Sequence, residues 1–376
     1  MRSTREPIDA ASSGPEARAT FSAPKTYIGD LGEVQQVAEI DQVRLQAYLQ
    51  QNIEGYAGPM KIQQFQGGQS NLTYLIETPS KKYVLRRQPR GVLLKSAHAV
   101  DREFRIMQAL AAVPNFPVPR PMVLCTDSDV LGSMFYVMSH VPGRIFWDCR
   151  MPDLSVADRA AVFDSANATL AQLHTVDYAA LGVADYGKPG NYFERQLSRW
   201  SRQFNESRTR DIPEMDQLIE WLPSALPPDD GLSSIIHGDY SFHNLLFHPT
   251  EPRVVAVIDW ELSTLGHPIG DLMYHMMEWY RPPGVDARGT LSTADLKALG
   301  VPSQEEYIQR YCERTGFAIE VDLPFYRAFN LFRTAAILQG IAYRLQDGNA
   351  ASANAGEIAN NIGPLAKAAW RMANGD

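Results

Sequence analysis

Short apolar runs separated by turn residues characterise the amino-terminal third of the chain, which is typical of an antiparallel sheet. Five strand-like runs are present: 61–66, 72–78, 82–88, 122–126 and 134–139. Between the third and fourth runs, Val100, Phe104 and Met107 recur at helical spacing and predict a helix that packs on this sheet. A shorter helix is predicted after Asp41, because aspartate is a common amino-terminal helix cap.

After Gly143 the pattern changes to helical spacing. Three long helical segments are predicted: 155–175, 191–221 (as one or two helices) and 322–345. Residues 1–30 are rich in Ala, Ser, Pro and charge with almost no periodic apolar signal, so we expect a disordered tail there. The chain is therefore predicted to be α+β, with a sheet-containing lobe at 31–140 and a larger, mostly helical lobe at 141–376.

Composition narrows the class of protein. Of the 376 residues, 45% are hydrophobic and 21% are charged, which is ordinary for a soluble globular protein. The longest apolar runs fall short of the roughly 18 residues that a membrane-spanning helix needs, so no membrane partner is expected. A formal net charge of -8 disfavours nucleic acid as a partner. The scattered Cys125, Cys149 and Cys312 favour a reducing cytoplasm over a disulfide framework.

The stretch from 235 to 274 carries the clearest chemistry. An apolar run ends in His237-Gly-Asp239, and Asn244 follows five residues after Asp239. A second, β-branched run ends at Asp259, twenty residues after Asp239. Phosphoryl transfer needs one carboxylate to orient or accept the proton of the attacking hydroxyl, and a carboxylate with a carboxamide to hold Mg²⁺ against a polyphosphate. Asp239, Asp259 and Asn244 fit these three roles.

These motifs resemble those of a known family. His-Gly-Asp-x-x-x-x-Asn at 237–244, followed by Ile-Asp-Trp-Glu at 258–261, is similar to the catalytic and metal motifs of the aminoglycoside phosphotransferase and choline kinase superfamily, a small-molecule branch of the protein-kinase-like fold. The resemblance extends over 36–350. It is nearest to bacterial phosphotransferases and to the kinase-like domain fused to some acyl-CoA dehydrogenases.

The resemblance implies a bilobal fold and an ATP- and Mg²⁺-dependent transfer of the γ-phosphoryl group to a hydroxyl of a small molecule. Asp239 is then the catalytic residue, and Asn244 and Asp259 are the metal ligands. His237 is expected to fix the catalytic loop by hydrogen bonds, and Asp271 to anchor the backbone of that loop. A hydroxy acid or its CoA thioester fits the resemblance at least as well as an aminoglycoside does.

A nucleotide site is expected between the two lobes. Backbone N–H groups and polar side chains of a glycine-rich turn are expected to bind the phosphates; this turn contains Gly67, Gly68, Ser70 and Asn71. Arg86 stands on the third strand where related kinases carry lysine, and Glu103 on the next helix is its expected partner. Met138, His140 and Val141, at the end of the fifth strand, are expected to contact adenine.

Simpler interpretations remain open at this point. The two glycines are also typical of a plain hairpin turn, and Arg86 would also fit an exposed strand position. Arginine in place of lysine leaves a second class of function: a catalytically silent nucleotide-binding module that acts through a partner. The acceptor-side candidates would equally fit an exposed polar face; these are Glu278, Arg333 and Tyr343.

Two other metal-dependent classes are disfavoured. A zinc site built from His237, His243 and His248 lacks cysteine and regular helical spacing. A metal-dependent hydrolase would have too few Mg²⁺ ligands without the oxygens of a nucleotide.

Overall fold

The computed structural model describes residues 40–65, 71–89, 99–285, 288–319, 323–346 and 359–375. Within these ranges the chain forms an amino-terminal lobe built on a five-stranded sheet and a larger, mostly helical carboxy-terminal lobe. The α+β, bilobal class predicted from the sequence is therefore confirmed. The expected tail, 1–30, lies outside the described residues.

The sheet has five antiparallel strands in the order β1-β2-β3-β5-β4. Their bounds are β1 Lys61–Gln64, β2 Leu72–Glu77, β3 Lys82–Arg87, β4 Pro121–Cys125 and β5 Phe135–Ser139. All five strand predictions are thus confirmed to within two residues at each end. Central strand β3 is buried along all but its first residue, so Arg86 and Arg87 are not exposed strand residues.

The two faces of the sheet bury different apolar groups. One face packs under α1 (Gln42–Asn52), whose Leu45 and Leu49 join Ile76 and Leu85 of the sheet. The Asp41 side chain caps this helix, as predicted, by accepting from the backbone N–H of Arg44 at 3.0 Å. The other face packs against α2 (Val100–Leu110), whose apolar stripe continues into the core of the larger lobe.

Helices form most of the larger lobe, preceded by the short α3 (Ser128–Leu131) before β5. They are α4 Val156–His174, α5 Tyr192–Glu206, α6 Pro213–Ser224, α7 Pro268–His275, α8 Leu296–Leu299, α9 Gln304–Thr315, α10 Leu323–Gln346 and α11 Ile362–Ala373. The predicted segment 191–221 is two helices, α5 and α6. α10 packs against α5, α6, α7 and α11. None of the helices in the described ranges is both long and apolar enough to cross a bilayer.

Two small two-stranded sheets lie between α6 and α7. β6 (Ser234–Ile236) pairs with β9 (Thr264–Gly266), and the segment between them contains a hairpin in which β7 (Leu245–Phe247) pairs with β8 (Val254–Val257). The backbone N–H of Val257 donates to the carbonyl of Pro117 at 2.8 Å, which ties this hairpin to the connector after α2. The loops between these strands therefore face the junction of the two lobes.

Candidate active site

The loop from β6 to β7 carries His237, Asp239 and Asn244. Gly238 adopts a φ of +82°, and a Cβ there would lie 2.5 Å from the carbonyl oxygen of Leu262. Glycine is therefore required at this turn, because both the backbone conformation and the close approach exclude a side chain. A single 3₁₀ turn, Phe242–Asn244, then returns the chain into β7.

Asp271, in the first turn of α7, holds this loop in place. Its carboxylate is 1% exposed and accepts from the backbone N–H groups of His237 and, at 2.8 Å, of Gly238. Burial would raise the pKa of Asp271, but His174, His237 and the Gly238 N–H keep it below its ordinary value. The ring of His237 also bonds the Ile258 carbonyl at 2.9 Å. Asp271 is thus hydrogen-bonded to the loop backbone, and the His237 ring joins the loop to the segment before Asp259.

Asp239 lies at the end of this loop with 26% of its side chain exposed. The Asn244 amide donates to its Oδ2 at 3.0 Å and to its carbonyl oxygen at 2.9 Å, and the Tyr274 hydroxyl lies near the carboxylate. Burial would raise the pKa of Asp239, but His243, Tyr274 and Arg288 are among the groups that hold it below its ordinary value. The site therefore presents an oriented, ionised carboxylate at neutral pH.

Asn244 and Asp259 supply hard oxygen donors beside that carboxylate. Because the Asn244 amide nitrogen is used on Asp239, its amide oxygen points the other way. The backbone N–H of Ile258 donates to the Asn244 carbonyl at 3.0 Å, so the residue before Asp259 lies against Asn244. Asp259 has a φ of 67° and a side chain that is 37% exposed.

This donor set fits one divalent cation better than the zinc alternative. Among the described residues no group of three or more His, Cys, Asp and Glu side chains could hold a metal on its own. A carboxylate and an amide oxygen instead suit Mg²⁺, which commonly completes its coordination with phosphate oxygens and water.

Arg86 links the two lobes at this point. Its Nη1 and Nη2 both donate to Oδ1 of Asp259 at 3.0 Å, and Nη1 lies 3.3 Å from Oε2 of Glu103. Glu103 also accepts from Asn71 at 2.8 Å and from the Tyr136 hydroxyl at 3.0 Å. Burial raises the pKa of Glu103 to about 7, although Arg86 opposes the rise. The expected pair of Arg86 with Glu103 is present, and Asp259 is a further partner.

The other predicted nucleotide residues are placed as follows. Gly67, Gly68 and Ser70 lie outside the described residues. The side chain of Asn71 is buried against Glu103, so it faces the ion pair. Met138 is buried in β5, and the backbone N–H of His140 donates to the Lys82 carbonyl at 3.3 Å just beyond that strand. Val141 follows at the junction of the lobes.

Several side chains around Asp239 were not recognised in the sequence. His243 lies 3.9 Å from Oδ2 of Asp239, stacks on the half-exposed ring of Trp147 and contacts Nη1 of Arg288 at 2.9 Å. Tyr274 has a usable signal, because it lies one helical turn after Asp271. His243 lies in the same loop as Asp239, four residues after it, whereas Trp147 and Arg288 come from separate segments that only the fold brings together.

The three residues that were candidates for contact with the acceptor lie in different surroundings. Arg333 of α10 donates to the carbonyl of Gly238, next to Asp239. Glu278 is 5% exposed and forms an ion pair of 2.6 Å with Arg281, so its carboxylate is used inside the fold. Tyr343 lies ten residues beyond Arg333 on α10, roughly 15 Å along the helix axis. Of the three, Arg333 contacts the catalytic loop directly.

Comparison with known proteins identifies the family of this chain. Residues 61–307 match the model of the phosphotransferase enzyme family. Acyl-CoA dehydrogenase family member 11 of Gallus gallus is 42% identical over 341 residues, which cover 89% of this chain and 44% of that protein. The chain therefore spans less than half the length of this curated relative.

Solved structures share the fold over nearly its whole length. One from Ralstonia eutropha, which carries the name aminoglycoside phosphotransferase, is 48% identical with a TM-score of 0.81 and covers 89% of this chain and 98% of its own. A spectinomycin phosphotransferase in complex with ADP and spectinomycin is 12% identical with a TM-score of 0.59, covering 89% and 98%. At that identity the second likeness shows the fold alone.

Proposed function

Because the chain belongs to the phosphotransferase enzyme family, we propose that it transfers the γ-phosphoryl group of ATP to a hydroxyl group of a small molecule. One observation carries the proposal: the ionised carboxylate of Asp239 is held by Asn244, and the residue before Asp259 is hydrogen-bonded to the backbone of that same Asn244. A carboxylate for the acceptor and a separate donor pair for Mg²⁺ are the groups that this reaction requires.

Asp239 is the proposed catalytic residue. The acceptor hydroxyl donates its hydrogen bond to the Asp239 carboxylate, which orients the oxygen toward the γ-phosphorus. As the new O–P bond forms and ADP leaves, the hydroxyl proton passes to the carboxylate. The hydrogen bond from Asn244 fixes the carboxylate in advance, so little reorganisation is needed.

The remaining roles concern the nucleotide. Asn244 and Asp259 are proposed to hold Mg²⁺, which when bound neutralises charge on the phosphates. Arg86, held by Glu103, supplies a fixed cation for the phosphates, and Asn71 and Tyr136 keep Glu103 in position. The turn with Gly67, Gly68 and Ser70 is proposed to bind phosphate through its backbone, and the segment Met138, His140 and Val141 to contact adenine.

The chemical class of the acceptor is proposed by analogy with similar proteins. The chain has the fold of enzymes whose acceptors include spectinomycin, but fold alone does not transfer a substrate. The relative from Gallus gallus is named as an acyl-CoA dehydrogenase family member. A hydroxy acid or its CoA thioester is therefore proposed ahead of an antibiotic.

A screen of hydroxylated compounds with ATP and Mg²⁺ tests the proposal. The panel contains hydroxy acids, hydroxyacyl-CoA thioesters and aminoglycosides, with ADP release and the gain of one phosphoryl group by mass as paired readouts. We expect at least one acceptor to be phosphorylated, and Asp239→Asn to abolish that product. Tight binding of Mg²⁺–ATP without phosphorylation of any acceptor would favour the silent nucleotide-binding module.

A further inference from the structure

Arg333 is a buried cation beside the catalytic loop. Its side chain is 5% exposed, and its Nη2 donates a hydrogen bond to the carbonyl of Gly238 in that loop. Among the described residues, its Nε has no hydrogen-bond partner and its guanidinium forms no ion pair with a carboxylate. A buried guanidinium is costly unless another group compensates its charge.

Aromatic rings provide part of that compensation. The Arg333 guanidinium lies 4.9 Å from the ring centre of Tyr274 and 5.7 Å from that of Trp200. Cation–π contacts compensate a buried charge less fully than an ionic partner does. Tyr274 also lies close to Asp239, so Arg333 is one side chain away from the proposed catalytic group.

A second arginine shares the Trp200 ring. The guanidinium of Arg199, an exposed residue on α5, lies 5.0 Å from the centre of that ring. Arg199 and Arg333 therefore lie against the same ring. Partial burial, and then the charges of Arg333 and Arg202, lower the pKa of Arg199. In a chain with a formal net charge of -8, this positive cluster is a local exception.

Two neighbouring cations repel each other, and an anion that binds between or above them lowers this repulsive energy. Arg333 is the buried member of the cluster and is held by the Gly238 carbonyl and two aromatic rings. Arg199 is the exposed member and reaches solvent. The anion that best fits is a group on the acceptor, because the cluster adjoins Asp239 on the Tyr274 side.

We propose that Arg199 and Arg333, with Trp200 and Tyr274, form an anion-binding subsite that holds a carboxylate or phosphate group of the acceptor while its hydroxyl contacts Asp239. The subsite rests on the proposed function in one respect, the orientation of the acceptor hydroxyl toward Asp239. The shared ligand chemistry is an oxyanion, and the two sources are separated by experiment.

Calorimetric titration of inorganic phosphate and, separately, of acetate tests the subsite. The chain is first saturated with Mg²⁺ and AMP-PNP, so that the nucleotide phosphates occupy their own site, and ionic strength is held constant. We expect one of the two anions to bind at a single site and Arg199→Ala to weaken it about tenfold, since a charge-assisted hydrogen bond is lost. The anion that binds more tightly identifies the ligand as carboxylate or phosphate.

Two further variants make the result specific. Arg371→Ala removes an exposed positive charge on α11 and should leave anion affinity unchanged. Arg333→Lys keeps the charge but loses the planar fork, and should weaken binding less than Arg199→Ala. Absence of binding by both anions, or equal affinity in wild type and Arg199→Ala, overturns the subsite.

Failure of the subsite and failure of the proposed function are distinguishable. With an acceptor from the screen, Arg199→Ala should raise its KM and leave kcat nearly unchanged, because the lost contact is made in ground and transition states alike. Phosphorylation with an unchanged KM refutes the subsite alone. Anion binding that depends on Arg199, in a chain that phosphorylates no acceptor, refutes the proposed function alone.

Discussion

Arg86 and Asp259 are joined by two hydrogen bonds, because Nη1 and Nη2 of the arginine both donate to Oδ1 of the aspartate at 3.0 Å. Glu103 lies on the other side of the same guanidinium, 3.3 Å from Nη1. Since Asp259 is also the proposed metal ligand, the arginine and Mg²⁺ use one carboxylate. Nucleotide binding is therefore expected to depend on both Arg86 and Asp259.

The first prediction concerns Arg86. Arg86→Ala should weaken Mg²⁺–ATP binding about tenfold to a hundredfold and lower turnover, because charge-assisted hydrogen bonds contribute about 1.5–3 kcal/mol. Arg86→Lys should retain part of both, since a cation remains without the fork. Calorimetry and a coupled ADP assay give the two readouts, with exposed Arg120→Ala as the charge control. Equal affinity and rate in wild type and Arg86→Ala would remove Arg86 from the site.

The second prediction is a pH dependence of stability due to Glu103. Burial raises its pKa from 4.5 to about 7, so the folded chain keeps a proton that the unfolded chain releases. The contribution of Glu103 to the free energy of unfolding is therefore full below pH 4.5 and falls as pH rises to about 7, by at most about 1.4 kcal/mol per pH unit. Glu103→Gln cannot titrate and should lose this component. Denaturant unfolding of wild type and Glu103→Gln between pH 4.5 and about 7 measures this component. Identical pH profiles for the two proteins would contradict the raised pKa of Glu103.

The third prediction tests the turn before Asp239. Gly238→Ala should lower the free energy of unfolding by about 2–4 kcal/mol, because the new Cβ meets the Leu262 backbone in a left-handed conformation. Gly182 is the matched control: it has a φ of +71° but nothing within 4 Å of its added Cβ. Gly182→Ala should cost only about 1 kcal/mol. Similar costs for the two variants, measured by urea unfolding, would show that the close approach is unimportant.

The fourth prediction concerns residues 1–30, whose polarity and lack of apolar periodicity favour a segment outside the folded core. A chain that lacks these residues should melt at nearly the same temperature as the full chain. Calorimetry of both forms decides the point, since a large drop in melting temperature would mean that the segment packs on the fold.

Local features of the fold and site were predictable because short-range geometry decides them. The five strands follow from apolar runs and turn residues, and the Asp41 cap from a single side chain at a helix start. Asp239 and Asn244 lie five residues apart in one turn, so their contact depends on nothing distant. Arg86 and Glu103 occupy consecutive elements of one lobe, and the resemblance to related kinases already indicated that they form a pair.

Contacts between distant segments were not predictable from this sequence alone. Arg86 and Asp259 are 173 residues apart, and Arg333 and Gly238 are 95 apart. Neither pair has a sequence pattern, because tertiary packing decides which surfaces of two lobes meet. Asn71 shows the same limit: its neighbours suggested a phosphate-binding turn, yet its side chain is directed to Glu103.

The fifth prediction separates metal binding from chemistry. Asp259→Ala should reduce the ability of Mg²⁺ to promote ATP binding and should abolish turnover, because one of two proposed protein ligands is lost. Titration of ATP with and without Mg²⁺ measures this directly. If Mg²⁺ enhances ATP binding equally in the variant and in wild type, Asp259 is not a metal ligand.

Turnover by Asp239→Asn, measured beside its affinity for Mg²⁺–ATP, tests the central claim most directly. The amide keeps the size of the side chain but cannot take the acceptor proton. We therefore predict affinity within about twofold of wild type and a fall in turnover of at least about a hundredfold with an acceptor from the screen. Full turnover by Asp239→Asn would contradict the assignment of Asp239 as the residue that activates the acceptor.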